Sequence, residues 1–481
     1  MWWTQCLRRA PGPWACGLLV LGALLGSACS PGTAPAPRDP GTPAVGSAPS
    51  EVPGCRRTLV GVAHPDDDVF FVDPEVRRTI RAGCPVDTVY LTAGDAGKKD
   101  RGAAVAYADQ REFGVRAAYA EMAEADNRWK RADVNAGSRR VRSYLLDDRA
   151  RVSDVRLTFL DLHDGLPQGE QENSLLRLFR GDRRSIAAFR GGGSYTEDQL
   201  LATVTALVRL SRAERILTLD HDNASFAFSL AGGVDHSDHG IGARYVRRVG
   251  YALGVPVTAY LAYTMSPLKA NLDAAQVAEK DETVRWYIAN RECHGTDHCT
   301  MPTPYRGPLA EDWDRWTHRQ YQQVHREPRP GEVLGDIGRT TFSSGRAPER
   351  CLHSGAGTRD VGAVGIRACD GSPAQQWDTG PGDTIRPRLA PGSCLTALPS
   401  AVGLQRCGPG RPDQRWTREP WPSSTWKRTA WRISGNGGRC LFQDDRKFAP
   451  RWNDRSHQDP ELTLADCGTR PRPELYWRWG G

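Results

Sequence analysis

A chain of 481 residues exceeds what one ordinary hydrophobic core organises, so at least two domains are expected. A quarter of its residues are charged and its mean hydropathy is negative, which excludes a multispanning membrane protein. The net charge is +7, but the basic residues are scattered and no nucleic-acid reader motif is present, so no nucleic-acid partner is expected.

In chain order, Arg8 and Arg9 precede an apolar stretch from Gly17 to Leu25, and the small residues Gly26, Ser27 and Ala28 lead to Cys29. The stretch is too short to span a bilayer and predicts a signal peptide over residues 1–28. Two processing routes stay open. Cys29 after small residues resembles a bacterial lipobox, which would anchor the chain by lipid to the outer face of the bacterial cell membrane. Gly26, however, stands where a lipobox carries an aliphatic residue, and cleavage after Ala28 would release a secreted protein. Residues 29–53 are rich in Pro, Ala, Gly and Ser, cannot build a core, and read as a flexible tether. Thirteen cysteines are present, and with Cys6, Cys16 and Cys29 set aside an even number remains, as an oxidising compartment requires. Their spacing suggests Cys293 with Cys299, Cys351 with Cys369, Cys394 with Cys407 and Cys440 with Cys467, leaving Cys55 for Cys84. No CxxC occurs, so a cysteine zinc site is not expected.

From Arg56 the pattern alternates. Thr58 to Ala63 predicts a strand, Asp73 to Ala82 a helix closed by Gly83, and Val86 to Leu91 a second strand: a βαβ unit. A helix from Gln110 to Ala125, a strand from Val155 to Leu160, a helix from Thr196 to Ser211 and a strand from Arg215 to Leu219 follow. A helix from His239 to Leu253 and a strand from Val257 to Tyr263 complete a Rossmann-like α/β domain with a mostly parallel sheet, expected to span residues 54–330. Residues 331–346, polar with Gly and Pro, read as a linker. Beyond them Cys351-Leu352, Cys394-Leu395 and Cys440-Leu441 recur, each followed by a second cysteine and a closing tryptophan (Trp377, Trp416, Trp477). Three such units predict an all-β β-trefoil over residues 347–481.

The chemistry concentrates at two clusters, each after a predicted parallel strand. His64-Pro65-Asp66-Asp67-Asp68 follows the first strand, and three adjacent carboxylates repel one another unless a positive charge sits among them. Taken alone, the run also suits an acidic helix N-cap. Asp235-His236-Ser237-Asp238-His239 follows the Arg215 to Leu219 strand, and both clusters can converge on one crevice at the strand ends. A hard or borderline cation wants imidazole nitrogen and carboxylate oxygen, and the end of a parallel strand holds such side chains rigidly.

With these motifs in this order, the stretch from Arg56 to Met265 resembles the PIG-L/LmbE-like family of zinc-dependent N-acetylglucosaminyl de-N-acetylases. Leu91-Thr92-Ala93-Gly94, the Arg111-Glu112 helix and Phe159 to Gly165 extend the resemblance. It implies Zn2+ as cofactor with His64, Asp67 and His239 as metal ligands, Asp66 as general base, His236 as the histidine assisting collapse of the tetrahedral intermediate, and Asp238 as its orienting partner. Two positions depart from the family: Asp68 replaces the usual Glu, and Val234 stands where some members have a carbonyl-polarising tyrosine. Asp164, at an Asp-Gly turn, reads equally as a substrate contact and as an ordinary turn.

Residues 347–481 resemble ricin-type β-trefoil lectins, through Gln375-Gln376-Trp377, Gln414-Arg415-Trp416 and a degenerate Leu475-Tyr476-Trp477. The positions where such lectins carry a sugar-reading Asp hold His353, Thr396 and Phe442, which leaves Asp444 and Asp445 near Trp452 as the remaining sugar-site candidates. Trp313 and Trp316, near Tyr305 and Tyr321, either line a groove or pack within their own domain. The resulting expectation is an exported hydrolase removing N-acetyl groups from an N-acetylglucosamine-containing glycan or glycoconjugate, with a cell-surface polysaccharide as the trefoil's partner. A non-catalytic glycan-binding adhesin and a hydrolase of another amide are the alternatives.

Overall fold

The computed structural model describes residues 55–147, 154–191, 193–229, 232–291, 304–339, 349–355, 362–420, 430–435, 437–446, 459–469 and 471–480. The expected signal peptide and tether, Cys29, the Cys293–Cys299 pair and Trp452 lie outside the described residues.

The chain opens with β1 (Thr58–Val62), α1 (Glu75–Arg81), β2 (Val86–Thr92) and α2 (Arg101–Met122). Then come β3 (Trp129–Arg131), β4 (Val134–Ala136), β5 (Arg139–Leu146), β6 (Val155–Leu162) and α3 (Leu175–Arg180). A small hairpin of β7 (Ile186–Ala187) and β8 (Ser194–Tyr195) leads to α4 (Glu197–Ser211), β9 (Arg215–Leu219), α5 (Ser237–Leu253), β10 (Val257–Tyr260), α6 (Ala274–Arg291) and α7 (Glu311–Thr317). The sheet order is β10-β9-β1-β2-β6-β5-β3, with β4 pairing off β5. β10, β9, β1, β2 and β6 are parallel, while β5 and β3 add an antiparallel edge. The α/β reading therefore holds, with differences in detail. Helix α2 begins well before Gln110, because the Asp100 carboxylate caps it by accepting from the Ala103 N–H at 2.7 Å. Strand β10 stops at Tyr260, and Tyr263–Met265 forms a 3-10 turn instead.

Alternation along β1 divides the core. Val60 and Val62 pack with Val115 and Tyr119 of α2 and Val284 and Tyr287 of α6. Leu59, on the other face, packs with Leu200 and Val204 of α4 and Ile241, Tyr245 and Val246 of α5. Helix α5 lies so close to β1 that a Cβ at Gly61 would sit 2.8 Å from Val246 Cγ2. That contact sets the height of α5 over the strand ends. Trp316 is buried against Phe70, Phe71 and Tyr263, with its indole N–H on Ser266 Oγ at 2.9 Å, so it packs within the domain. Among the described residues no helix is long and apolar enough to cross a membrane.

The all-β part contains β11 (Val333–Gly335), β12 (Arg350–Ser354), β13 (Val364–Ala368), β14 (Trp377–Gly380), β15 (Thr384–Pro387) and β16 (Ser393–Ala397). It continues with β17 (Val402–Arg406), β18 (Thr417–Pro420), β19 (Trp431–Ser434), β20 (Arg439–Asp444), β21 (Glu461–Asp466) and β22 (Tyr476–Trp479). Strand β11 falls within the stretch read as a linker and pairs with β12 and β22. The threefold repeat has a physical signature. Trp377, Trp416 and Trp477 are buried and donate their indole N–H to the carbonyls of Leu352, Leu395 and Leu441, at 2.8, 2.8 and 3.2 Å. Disulfides Cys351–Cys369, Cys394–Cys407 and Cys440–Cys467 staple the same three units, and Cys55–Cys84 closes the first βαβ unit. Thr396 is fully buried and accepts from Gln414 Nε2. It is part of the trefoil core.

The two parts meet at a buried ionic network. His325 Nε2 lies 2.9 Å from Asp222 Oδ2, its Nδ1 lies 3.2 Å from Glu349, and Glu349 pairs with Arg478 at 2.6 Å. Burial opposes the charge on His325, but Glu349 and Asp222 outweigh it and raise the imidazole to about 9. Stability from this pair is complete below the unfolded value of about 6.5 and is lost as pH rises through about 9, a difference of at most about 3 kcal/mol. Thermal unfolding is expected to fall in midpoint between pH 6.5 and 9.5, and His325→Gln should flatten that decline. An unchanged slope in the variant would show that the network does not couple to folding.

Candidate active site

Strands β1, β2 and β6 lie to one side and β9 and β10 to the other, so the chain reverses direction in the sheet between β1 and β9. An open α/β sheet has its crevice at such a point, beyond the carboxyl ends of the strands. The loop after β1 brings His64 to Asp68 there, and the loop after β9 brings Asp235 to His239. All of these except Asp66 are buried.

Three atoms define the centre. His64 Nδ1 lies 3.2 Å from His239 Nε2 and 3.4 Å from Asp67 Oδ1, and His239 Nε2 lies 3.1 Å from the same Asp67 oxygen. His239 Nδ1 hydrogen-bonds Asp235 Oδ1 at 2.7 Å. Asp235 accepts a hydrogen bond from Nδ1, which orients the ring and turns Nε2 toward the centre, a carboxylate–histidine arrangement. Asp67 is itself anchored by the His64 N–H at 2.7 Å. Three atoms able to ligate a metal thus face one another out of water. A tetrahedral ion with bonds of about 2.0–2.1 Å separates its ligand atoms by about 3.4 Å, close to the edges of this triangle. The residues fit a Zn2+ ion.

The electrostatics agree with a site built for positive charge. Burial would raise the Asp67 carboxyl, but His239 and His64 outweigh it and hold it well below the usual carboxylate range. Burial likewise works against charge on His239, which Asp67 and Asp235 nevertheless raise to about 9. Asp68 stands apart: its Oδ2 accepts from Tyr90 and Tyr119 at 2.8 and 2.5 Å, and burial lifts its carboxyl to about 7.

A second group lies on the far side of the His64 ring. His64 Nε2 lies 3.4 Å from Asp238 Oδ2 and 3.7 Å from Asp164 Oδ2. His236 caps α5, its Nδ1 accepting from the Asp238 N–H at 3.2 Å, and its Nε2 faces Asp164 Oδ1 at 3.4 Å. Asp238 does not reach His236 as an orienting carboxylate, since the separation from His236 Nδ1 is 3.9 Å. It accepts instead from the Gly165 N–H at 2.6 Å, where a Cβ on residue 165 would lie 2.6 Å from its other oxygen.

Asp66 has partners of its own, outside the triangle. Its backbone has φ 151°, a glycine-like conformation that costs of order 1–3 kcal/mol for other residues. Oδ1 pairs with Arg111, and Oδ2 accepts from Tyr287 OH at 2.6 Å. The backbone thereby splits Asp66 and Asp67 into two environments.

All six sequence-predicted residues come together here. Four partners carried weaker signals or none. Asp235 stood inside a quoted motif without an assigned role, and Asp164 was read equally as a substrate contact and as an ordinary turn. Arg111 was visible only through resemblance, and Tyr287, 221 positions from Asp66, had no local signal.

Residues 59–249 match the family model of GlcNAc-PI de-N-acetylase, PIG-L, and residues 340–445 match that of the ricin-type beta-trefoil lectin domain. The chain carries a PIG-L-type domain followed by a ricin-type β-trefoil. Among solved structures, the PIG-L-type part is similar to N,N'-diacetylchitobiose deacetylase from Pyrococcus horikoshii. That likeness has 13% identity and TM-score 0.29, over 48% of this chain and 70% of that one. The trefoil is similar to the beta-trefoil lectin of Vibrio vulnificus hemolysin/cytolysin, at 19% identity and TM-score 0.18, over 30% and 89%. It is also similar to a non-toxic homologue of type II RIPs from Momordica charantia, at 17% identity and TM-score 0.21, over 30% of this chain and 45% of that one. The chain thus spans less than half the length of the bitter gourd protein. At these values the likenesses add nothing to the topology and the family matches. No curated protein matches the chain.

Zinc titration of the metal-free protein is expected to show one tight site. Asp235→Ala in the PIG-L-type domain should weaken it about 10- to 100-fold, the usual effect of removing a ligand's hydrogen-bond partner. Wild-type affinity in that variant would place the metal elsewhere.

Proposed function

We propose that this chain is an exported, Zn2+-dependent hydrolase that removes the N-acetyl group from an N-acetylglucosamine-containing glycan or glycoconjugate. The observation that carries the reading is the buried His64–Asp67–His239 triangle with Asp66 turned to a separate environment beside it. A Zn2+ ion held by these three ligands supplies a Lewis acid that polarises the acyl carbonyl and eases ionisation of water near neutral pH.

The protein's own groups do the rest. Asp66 takes the proton of the attacking water, and Arg111 and Tyr287 hold its carboxylate in position. With Nδ1 accepting from the Asp238 N–H, neutral His236 carries its proton on Nε2. That N–H hydrogen-bonds the developing oxyanion, with Asp164 as its acceptor before substrate arrives, and the departing amine takes the proton that Asp66 removed from the water. The orienting role expected of the Asp238 side chain thus passes to Asp164 and to the Asp238 backbone.

In this reading residues 1–28 are a leader and 29–53 a tether. Residues 54–330 perform hydrolysis, 331–346 connect, and the trefoil of 347–481 brings the enzyme to a cell-surface polysaccharide. Four disulfides and a lectin-type domain support an oxidising, extracellular setting. The chain is then either secreted or held at the outer membrane face through a lipid on Cys29.

The test is acetate release from N-acetylglucosamine oligosaccharides. Chelation should abolish it and Zn2+ restore it, and Asp66→Asn is expected to lower kcat about 10²–10⁴-fold with metal affinity kept. A folded, zinc-loaded protein that releases no acetate would overturn the substrate assignment and leave another amide as the target.

A further inference from the structure

The third trefoil unit was the remaining candidate for sugar recognition, through Asp444 and Asp445. The structure gives Asp445 other work. It is buried at the junction of the two parts, where Oδ2 accepts from Arg244 Nε at 2.7 Å and Oδ1 pairs with Arg339. Arg244 belongs to α5, the helix that begins at the His236 cap and carries His239 in its first turn.

Arg244 does more than cross the junction. Its Nη1 donates to the carbonyl of Gly240 at 3.0 Å and to that of Asn223 at 2.8 Å. Gly240 directly follows His239, and Asn223 lies in the loop that leads from β9 to Asp235. One guanidinium therefore ties a trefoil carboxylate to the backbone beside a proposed metal ligand and to the loop that supplies that ligand's hydrogen-bond partner. Two more arginines on the same helix reinforce the contact. Arg247 donates to Asp336 Oδ2 at 3.1 Å, and Arg248 Nε donates to Glu474 Oε1 at 2.7 Å. Positions 244, 247 and 248 share one helix face, and all three are buried.

We propose that the third trefoil unit is a positioning element for the metal-binding end of α5, with Asp445 acting through Arg244 on Gly240 and thereby on His239. A lectin-type domain that merely carries the enzyme to a glycan needs no such buried contacts with the catalytic helix. The proposal deepens the deacetylase reading and rests on it for the identity of the ligand, though not for the mechanical coupling.

The experiment uses the full chain as wild type, Asp445→Asn and a control, Asp378→Asn, which breaks an exposed trefoil ion pair with Arg388. Amide hydrogen exchange by mass spectrometry and Zn2+ affinity by chelator competition are measured on each, below the unfolding range. In Asp445→Asn, exchange is expected to rise in peptides covering residues 222–244 while α2 stays protected, and Zn2+ affinity is expected to fall about tenfold. Asp378→Asn should match wild type in both. Should Asp445→Asn fail to fold, Asp445→Glu replaces it, with the same local rise expected from the displaced carboxylate. Wild-type exchange at 222–244, or a local rise with unchanged Zn2+ affinity, would overturn the proposal. A local rise in a protein that binds no Zn2+ even as wild type would support the mooring and count against the deacetylase reading.

Discussion

The site depends on the close approach of two parallel strands and one helix. β1 and β9 are neighbours whose following loops diverge, and α5 lies against β1 through Gly61 and Val246. Only that packing puts His239 Nε2 within 3.2 Å of His64 Nδ1. Two of the three proposed ligands are then fixed by a group of their own: Asp235 for His239 and the His64 amide for Asp67. The strained backbone at Asp66 follows from the same demand. Two adjacent aspartates face different neighbours, and the glycine-like backbone of Asp66 itself turns them apart.

Burial determines how the charges behave. The centre collects more carboxylates than cations, so burial alone would make their ionisation costly, and the imidazoles offset that cost. A bound cation offsets it further. Arg111 and Tyr287 engage Asp66 while His239 engages Asp67, so one loop presents two carboxylates with different partners.

Much of this was legible in the sequence where the signal was local. His64 to Asp68 and Asp235 to His239 were visible as clusters, because each occupies one turn after one strand. The trefoil showed through its repeated Cys-Leu pairs and tryptophans, whose shared hydrogen bond to the Leu carbonyl explains why those residues recur together. What escaped was long-range or atypical. Helix α6 buries Lys280, Thr283 and Asn290 on its packed side, so it lacks the apolar stripe that marks a helix. Lys280 survives there by donating to the carbonyls of Trp316 and Arg319. Tyr287 follows from that missed helix. Asp445 was read as a sugar-facing residue because nothing nearby in sequence announces Arg244. The helix cap turns the backbone N–H of Asp238 to His236 Nδ1 at 3.2 Å, nearer than its carboxylate at 3.9 Å, a difference that residue spacing alone does not show.

The central claim is that His64, Asp67 and His239 jointly hold one zinc ion. X-ray absorption at the zinc edge, on protein loaded with one equivalent, tests it most directly. The account predicts two imidazole nitrogens and light oxygen donors at about 2.0–2.2 Å with no sulfur, and loss of one imidazole in His239→Ala. An unchanged two-imidazole spectrum in that variant would contradict it, since the metal would then be held by His64 and His236 on the other side of the ring.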